Sequence, residues 1–140
     1  MLARIREQES TYKSAGSVHG CALFDGAELK LFVEDVGRHN AIDTIAGWLW
    51  LQPGPSQPQD PLLYTTGRLT SEMVLKAAQL SVPLVVSRSG ITQMGFEMAQ
   101  SLGVCTVGRA TNRHFYCYTA RHRFVSQPEL ALTRPAPGAL

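Results

Sequence analysis

The chain has 140 residues, a length that suits one domain and argues against two. With 44% hydrophobic and 17% charged residues, it has the balance of a globular protein that can close a core. Thirteen Lys and Arg against eleven Asp and Glu leave a net charge of +2, which is too small to predict binding to a nucleic-acid polymer by bulk charge.

Residues 1–125 are predicted to form the single domain, and residues 126–140, which end in RPAPGAL, are predicted to be a disordered tail. No apolar run reaches the roughly 18 residues that a membrane span needs, and the N-terminus lacks the apolar stretch of a signal peptide. The three cysteines form no CxxC pair, and their odd number argues against a disulfide framework. These features predict a cytoplasmic protein that does not associate with a membrane.

The N-terminal part is predicted to contain a helix, a hairpin and a second helix. Residues 2–14 combine a few apolar side chains with many charges, which indicates a surface helix. Residues 18–24 and 29–33 are short apolar runs joined by Asp25-Gly26, a typical hairpin turn. From Ala41 onwards, the apolar residues fall at helical spacing.

After a proline-rich loop at residues 52–61, strands and helices are predicted to alternate. The expected elements are strand 62–65, helix 69–80 with capping residues at 70–72, strand 84–86, helix 93–102 ended by Gly103, strand 104–107 and a final apolar run at 115–118. This alternation predicts a three-layer α/β fold, in which helices flank a mixed, mostly parallel sheet.

Four loops that follow predicted strands share one composition. In each, a glycine lies within two residues of an arginine, namely Arg38, Arg68, Arg88 and Arg109. Loops at the carboxyl ends of parallel strands meet at one edge of an open sheet, so these loops are expected to form one rim. Glycine lets backbone N–H groups approach a ligand, helix N-termini favour anions, and arginine binds phosphate in a bidentate way. The rim therefore predicts a site for a small molecule that carries phosphate.

These residues also have structural interpretations. Glycine and arginine in exposed loops serve turns and solubility. Glu34 and Asp35 could bind a ribose hydroxyl or the N1/N2 edge of guanine, both of which present donors. Alternatively, Asp35 caps the next helix and Glu34 pairs with Arg38. His39, at the start of that helix, is either a ligand contact or a packed surface histidine.

A metal site is a further possibility, with His19 and Cys21 joined by Cys105, Cys117 and His114. No two of these residues have the CxxC or HxxxH separation typical of zinc ligands. An enzyme of the nucleoside deaminase type would need H-x-E followed by P-C-x-x-C, but Cys21 stands at the glutamate position and the second motif is absent. The sequence therefore predicts no metal site.

The same loops resemble a known family, the formate dehydrogenase accessory sulfurtransferases called FdhD. The matching stretches are EDVGRHNAID at 34–43, TGRLTSEMVLK at 66–76, VVSRSGITQMGFEMA at 85–99 and VGRATNRHF at 107–115. Residues 11–23 look like a degraded form of the family's Phe-x-x-Thr-Gly-Gly-x-His-x-Ala segment, with His19 retained. The resemblance covers roughly residues 8–120.

The resemblance implies a cytidine deaminase-like fold and a role in sulfur transfer. Family members receive sulfur as a persulfide from a cysteine desulfurase and pass it to the molybdenum cofactor, which then goes to formate dehydrogenase. They bind the cofactor in its bis(molybdopterin guanine dinucleotide) form, through its nucleotide arms. GDP or GMP would therefore act as a surrogate ligand.

Together, the loops and the resemblance imply cofactor binding by one set of residues and assign no catalytic residue. The set is Gly16, His19, Glu34, Asp35, Gly37, Arg38, His39, Thr66, Gly67, Arg68, Ser71, Ser87, Arg88, Ser89, Arg109, Ala110, Thr111, Asn112, Arg113 and His114. Asn112 stands where the family usually has a glycine, which is a departure from its pattern.

A larger departure from the family's pattern concerns the cysteine loop that carries the sulfur. The family's Cys-x-x-Cys loop precedes the matching region, and none of the three cysteines stands at such a motif. We therefore expect a C-terminal part or a truncated relative, which binds cofactor and alone transfers no sulfur. The alternative is a module that binds guanine nucleotide or another phosphate ligand without catalysis. The apolar segment at 48–51 (WLWL) also favours a homodimer.

Overall fold

The computed structural model describes residues 1–111 and 114–125. The predicted disordered tail at 126–140 and two predicted site residues, Asn112 and Arg113, lie outside the described residues. The described part of the chain forms one sheet with helices packed on it.

Six strands form the sheet, in the spatial order β2-β1-β3-β4-β5-β6. The strands are β1 (His19–Asp25), β2 (Glu28–Asp35), β3 (Pro61–Thr65), β4 (Leu84–Ser87), β5 (Cys105–Gly108) and β6 (Tyr116–Thr119). β1 and β2 form the predicted hairpin, and Gly26 in its turn has a φ of +55°, which glycine adopts without steric cost.

The helices of the described residues lie on both faces of the sheet. They are α1 (Leu2–Glu7), α2 (Thr11–Ala15), α3 (Arg38–Leu51), α4 (Ser71–Gln79) and α5 (Gln93–Leu102), with two 3-10 turns at Gly54–Ser56 and Arg121–Arg123. No helix in this part of the chain is long and apolar enough to cross a membrane.

The prediction of a mixed sheet flanked by helices is confirmed, but the prediction that the sheet is mostly parallel is wrong. Only β3, β4 and β5 are parallel neighbours; β1 pairs antiparallel with β2 and β3, and β6 pairs antiparallel with β5. The reason is that α3 carries the chain from β2 across β1, so β3 lies beside β1 and runs against it. The closer assignment to a cytidine deaminase-like fold stays a prediction.

The alternation of side chains along the strands builds a core on each face. On one face, Leu23 of β1 packs with Ile45 of α3 and Met73 of α4. On the other face, Phe24 of β1 packs in a cluster with Ile5 of α1. We call the first the helical face, because α3, α4 and α5 cover it, and the second the N-terminal face, because α1 and α2 lie there.

The N-terminal segment differs from the single helix predicted at residues 2–14. α1 stops before Gln8, whose backbone is extended, and α2 starts after Ser10. The Ser10 hydroxyl accepts a hydrogen bond from the backbone N–H of Lys13 at 3.3 Å. Serine at an N-cap position satisfies a free backbone donor, which favours a new helix start here over continuation of the first helix.

The other helices lie near their predicted positions. α5 has the predicted bounds and ends at Gly103, whose φ of +67° is the left-handed conformation that glycine permits. α3 begins at Arg38, before the predicted Ala41, because Gly37 is its N-cap. Thr70 is the N-cap of α4, but its side chain makes no capping hydrogen bond, contrary to the prediction.

Candidate functional site

A pocket of about 370 Å³ lies on the N-terminal face, where α1 and α2 meet the ends of the central strands. Gly20 of β1 and Thr66, just after β3, line it at the end of the sheet. These two residues are joined by two hydrogen bonds: the N–H of Gly20 donates to Thr66 Oγ1 at 3.0 Å, and the N–H of Thr66 donates to the Gly20 carbonyl at 2.9 Å. The sheet therefore provides a rigid base for the pocket.

The chemistry of the lining is basic and aromatic. The basic side chains are Arg6, Lys13, Arg88 and His114, and the aromatic ones are Tyr12, Phe32 and Tyr64. No Asp or Glu is among the described residues that line the pocket. A concave site of this composition attracts an anion and offers ring surface for a planar group.

Arg88 and Tyr12 form the most direct contact across the pocket. The guanidinium carbon of Arg88 lies 5.7 Å from the centroid of the Tyr12 ring, within the range of a cation–π interaction. Tyr64 is nearby: burial raises its pKa, and the positive charge of Arg88 opposes that rise. The phenol of Tyr64 therefore stays protonated at neutral pH beside a charged arginine.

Glu34 fixes the position of residues 10–12, the segment that brings Tyr12 to the pocket. Its carboxylate accepts hydrogen bonds from Ser10 Oγ at 2.5 Å, from the Thr11 N–H at 2.8 Å and from the Tyr12 N–H at 3.0 Å. Burial acts to raise the pKa of Glu34, but these hydrogen bonds outweigh it and lower the pKa. Among the described residues, Glu34 does not form the alternative ion pair with Arg38. Glu34 instead fastens the start of α2 to β2.

Asp35 forms a local turn before α3. Its Oδ1 accepts from the N–H of Gly37 at 2.7 Å and from Nδ2 of Asn40 at 3.0 Å. These two hydrogen bonds, the one from Gly37 foremost, lower the pKa of Asp35. Asp35 therefore orders the residues that lead into α3, but it does not cap the helix directly, since Gly37 occupies that position.

Five of the sequence-predicted residues line the pocket: Thr66, Arg88, Ala110, Thr111 and His114. Three loops after the parallel strands bring them together, as the topology predicts. The backbone N–H of Ala110 donates to the Ser87 carbonyl at 3.0 Å, and that of Arg88 donates to the Thr65 carbonyl at 2.9 Å. Backbone hydrogen bonds between neighbouring loops thus fix the positions of Arg88 and Ala110.

The predicted serine donors have internal partners instead. Ser87 Oγ donates to the Gly67 carbonyl at 2.6 Å, and Ser89 Oγ donates to the Thr66 carbonyl at 2.9 Å. The two hydroxyls therefore connect the last residue of β4 and the loop that follows it to the loop after β3. Their role in the described structure is to support the loops that carry pocket residues.

A second group of predicted residues meets on the opposite, helical face. A Cβ atom on Gly67 would lie 2.9 Å from Cδ of Arg38 and 3.5 Å from Nδ1 of His19. In the described part of the chain, the buried side-chain atoms without a hydrogen-bond partner are His19 Nδ1, Arg38 Nε and Thr70 Oγ1. We call His19, Arg38 and Gly67 the α3–α4 corner, because Arg38 begins α3 and Gly67 lies in the loop that leads to α4. The unpartnered atoms of His19 and Arg38 and the N-terminus of α3 suit an anion.

The remaining predicted residues lie outside both groups. Arg68 and Arg109 are exposed, and Arg109 has a φ of +48° with its guanidinium beside Gly90. His39 Nε2 lies 3.3 Å from Glu72 Oε2, which matches the packed surface interpretation. Ser71 is the first residue of α4, and Gly16 ends α2 in the left-handed conformation.

Sequence reasoning missed the pocket residues of the N-terminal segment. These are Leu2, Ile5, Arg6, Ser10, Tyr12 and Lys13, together with Gly20, Phe32 and Tyr64 from the strands. The one signal available was an aromatic residue, Tyr12, close after a serine that can cap a helix. The contact that places this segment joins Ser10 to Glu34, which are 24 residues apart, and no local pattern encodes it.

Comparisons with known proteins agree on one family. The model of the FdhD/NarQ family matches residues 1–125. The sulfur carrier protein FdhD of Bacillus pumilus (strain SAFR-032) is 36% identical over 123 residues, which are 88% of this chain and 46% of the relative. The protein of the same name from Shouchella clausii (strain KSM-K16) is 38% identical over 123 residues, covering 88% of this chain and 45% of the relative. The chain thus spans less than half the length of these curated relatives.

A solved structure supports the same assignment. The crystal structure of a protein designated a formate dehydrogenase accessory protein, from Desulfotalea psychrophila, matches with a TM-score of 0.78 and 34% identity. The match covers 88% of this chain and 56% of the other. The family model, the curated relatives and the solved structure therefore agree, and the chain belongs to the FdhD/NarQ family.

Proposed function

We propose that this chain is the nucleotide-binding part of a sulfur carrier that serves formate dehydrogenase. In this proposal, the pocket on the N-terminal face holds one guanine nucleotide arm of the molybdenum bis(molybdopterin guanine dinucleotide) cofactor. The curated relatives are named sulfur carrier proteins, which supports the general role. The observation that carries the specific proposal is the pocket itself, with its basic and aromatic lining.

The lining residues suit the two halves of a nucleotide. Arg88 can bind phosphate oxygens in a bidentate way, and Arg6 and Lys13 add positive charge at the outer wall. Tyr12 offers a ring on which a base can stack, an interaction worth about 1–3 kcal/mol per base. The lack of acidic side chains among the described lining residues removes repulsion against phosphate.

The size of the pocket suits one arm of the cofactor and not the whole molecule. Its volume of about 370 Å³ is near the lower end of the range of roughly 300–1,000 Å³ for small-molecule sites. The α3–α4 corner, at the same end of the sheet, offers further unpartnered polar atoms for phosphate. When bound, the cofactor supplies the metal centre that receives sulfur. The residues of this chain hold and orient its nucleotide portion.

Two of the cysteines in this chain are poorly suited to carry a persulfide. Burial raises the pKa of Cys21 to about 11, although the hydrogen bond with Thr65 acts against the rise. Burial and the neighbouring Cys117 raise the pKa of Cys105 to about 12. Because the thiolate is the reactive form, we propose that neither of these two buried thiols carries sulfur from a cysteine desulfurase.

The nucleotide part of the proposal is tested by titrating GDP calorimetrically into the chain and into Arg88→Ala. A charge-assisted arginine–phosphate contact contributes about 1.5–3 kcal/mol, so Arg88→Ala is expected to weaken binding roughly tenfold to a hundredfold. Arg68→Ala is the matched control, because Arg68 is exposed and does not line the pocket.

The affinities of the two variants show whether the nucleotide binds in the pocket or at the predicted rim. An unchanged affinity in Arg88→Ala with a large loss in Arg68→Ala would move the site to the exposed rim. No binding by the unaltered chain at millimolar GDP would reject a guanine nucleotide site in this chain. Equal losses in both variants would show that the nucleotide reaches from the pocket to the rim.

A nucleotide-binding module without sulfur transfer is the second candidate, and the raised pKa values of Cys21 and Cys105 favour it. We expect no persulfide to accumulate when the chain is incubated with a cysteine desulfurase, cysteine and pyridoxal phosphate. Intact mass measures the added sulfur. A near-stoichiometric persulfide on any of the cysteines would reject this candidate and assign sulfur transfer to the chain itself.

A further inference from the structure

Two cysteines lie close together in the core of the N-terminal face, outside the lining of the pocket. Cys105 begins β5, Cys117 lies in the neighbouring strand β6, and their Sγ atoms are 3.9 Å apart. Both are free thiols, and neither lines the pocket. The third cysteine, Cys21, is buried and donates to Thr65 Oγ1 at 3.3 Å. The pair is therefore a feature that the proposed nucleotide pocket does not include.

The two thiols of the pair differ in accessibility. Cys105 is buried, whereas Cys117 is half-buried on the outer strand of the sheet. A small reagent can therefore reach Cys117 first. Arg123, whose Nε donates to the Gly103 carbonyl at 3.1 Å, places a positive charge near Cys105.

We propose that Cys105 and Cys117 form a redox-active dithiol, which a low-molecular-weight disulfide converts into a disulfide between β5 and β6. The sulfur atoms must move from 3.9 Å to the bonding distance of about 2.0 Å. β6 is a short strand with a neighbour on one side only, so it can accommodate this movement at low cost. The proposal does not depend on the nucleotide site.

The thiol–disulfide exchange proceeds in two steps. The Cys117 thiolate attacks one sulfur of the small disulfide, forms a mixed disulfide and releases one small thiol, which takes up the proton that Cys117 lost. The Cys105 thiolate then attacks Cys117 Sγ, breaks the mixed disulfide and releases the second small thiol, which takes up the proton from Cys105. The two protein thiols are oxidised by two electrons, and the small disulfide is reduced to two thiols.

The electrostatics favour this order of attack. Burial is the first cause of the raised pKa of Cys105, and both the charge of Cys117 and its hydrogen bond add to the rise. Once Cys117 is part of a mixed disulfide, it carries no negative charge, whereas the charge of Arg123 remains and lowers the pKa. The first step therefore makes the second thiol easier to ionise.

The test uses oxidised glutathione as the probe and intact mass as the readout. After incubation, the protein is unfolded in denaturant, its free thiols are blocked with an alkylating reagent, and its intact mass is measured without reduction. We expect the alkylated thiols to fall from three to one, with no glutathione retained, and a peptide map to join Cys105 to Cys117. Cys21→Ala should form the same cross-link, since Cys21 takes no part.

Two variants test the order of attack. Cys105→Ala should stop at a single glutathione adduct on Cys117, because the resolving thiol is missing. Cys117→Ala should gain no adduct, because Cys105 is buried. A stable glutathione adduct in the unaltered chain, an adduct on Cys105 in Cys117→Ala, or three alkylated thiols after oxidation would overturn the proposal. The first and last results need only the unaltered chain, so they hold even if a variant folds poorly.

Discussion

The two faces of the sheet carry site residues at the same end but are built for different tasks. The N-terminal face has a pocket with room for a ligand, lined by side chains such as Arg88 and Tyr12. The helical face has the α3–α4 corner, where buried polar atoms of His19 and Arg38 lack partners and the packing around Gly67 is tight. A ligand can enter the first without moving the protein, whereas the second has charge and hydrogen-bonding capacity but little space. Loops with the same composition can therefore supply both a pocket and a packed corner.

The largest expected effect is a loss of stability on the helical face. A Cβ on Gly95, in the first turn of α5, would lie 2.3 Å from the backbone oxygen of Leu69. Gly95→Ala is therefore expected to lower the free energy of unfolding by about 2–3 kcal/mol, through overpacking against backbone. Urea denaturation measures the change.

The control for this prediction is Gly47→Ala in α3, where a Cβ would meet nothing within 4 Å. This change should stabilise the protein by roughly 0.5–1 kcal/mol, because alanine is the better helix former. If both variants have the same stability, the helical face is less tightly packed at α5 than the structure indicates.

The second effect concerns the pocket. Tyr12→Ala removes the ring that faces Arg88 and is expected to weaken GDP binding by about 1–2 kcal/mol, or roughly fivefold to thirtyfold, through lost stacking. Calorimetry measures it. Tyr116→Ala is the control, because Tyr116 is an exposed tyrosine of β6 that does not line the pocket. A similar loss in both variants would contradict a specific role for Tyr12.

A smaller effect is expected from changing Glu34, which fastens residues 10–12 at the edge of the pocket to the sheet. Glu34→Gln weakens the three hydrogen bonds that hold residues 10–12 and is expected to cost about 1 kcal/mol in stability, with a comparable loss in GDP affinity. The control is Glu28→Gln in the same strand, which removes an exposed ion pair with Lys30 and should leave both quantities nearly unchanged. A stability loss in Glu34→Gln without any loss in affinity would show that the fixed position of residues 10–12 is not needed for binding.

The smallest effect is on the pH dependence of stability. The pKa of Glu34 lies below its usual value of 4.5, so the unfolded chain binds a proton before the folded one as the pH falls. Its contribution is fully present above about pH 5 and is lost as the pH falls through the folded pKa. Glu34→Gln should therefore lose less stability than the unaltered chain below pH 4.5 in acid titrations of unfolding. Parallel curves for the two proteins would contradict the assigned role of Glu34.

Local patterns predicted most elements of this fold but not the direction of the strands. The hairpin at Gly26 and the stop at Gly103 follow from glycine chemistry, and both are present. The antiparallel pairing of β1 with β3 depends on which strand α3 crosses, and apolar runs do not specify spatial order. The prediction of a mostly parallel sheet failed for this reason.

The candidate site was predictable where it follows the strand ends and not where it depends on distant contacts. Arg88 and His114 lie in loops that the topology brings together, and both line the pocket. Lys13 was missed because its position depends on the contact between Glu34 and Ser10, which are far apart in sequence. Glycine and arginine alone could not indicate which face of the sheet a loop would serve.

The alternation of side chains along β1 and at the end of β3 limits how this chain can change in length. His19 and Gly67 serve the α3–α4 corner, while the adjacent residues Gly20 and Thr66 serve the pocket. Deleting one residue of β1 after Gly20 would place His19 where the pocket has a glycine, and inserting or deleting one residue within β3 would move Thr66 away from the pocket face. Natural variation in chain length is therefore expected in the proline-rich loop at residues 52–58, and these strand ends should keep an invariant spacing.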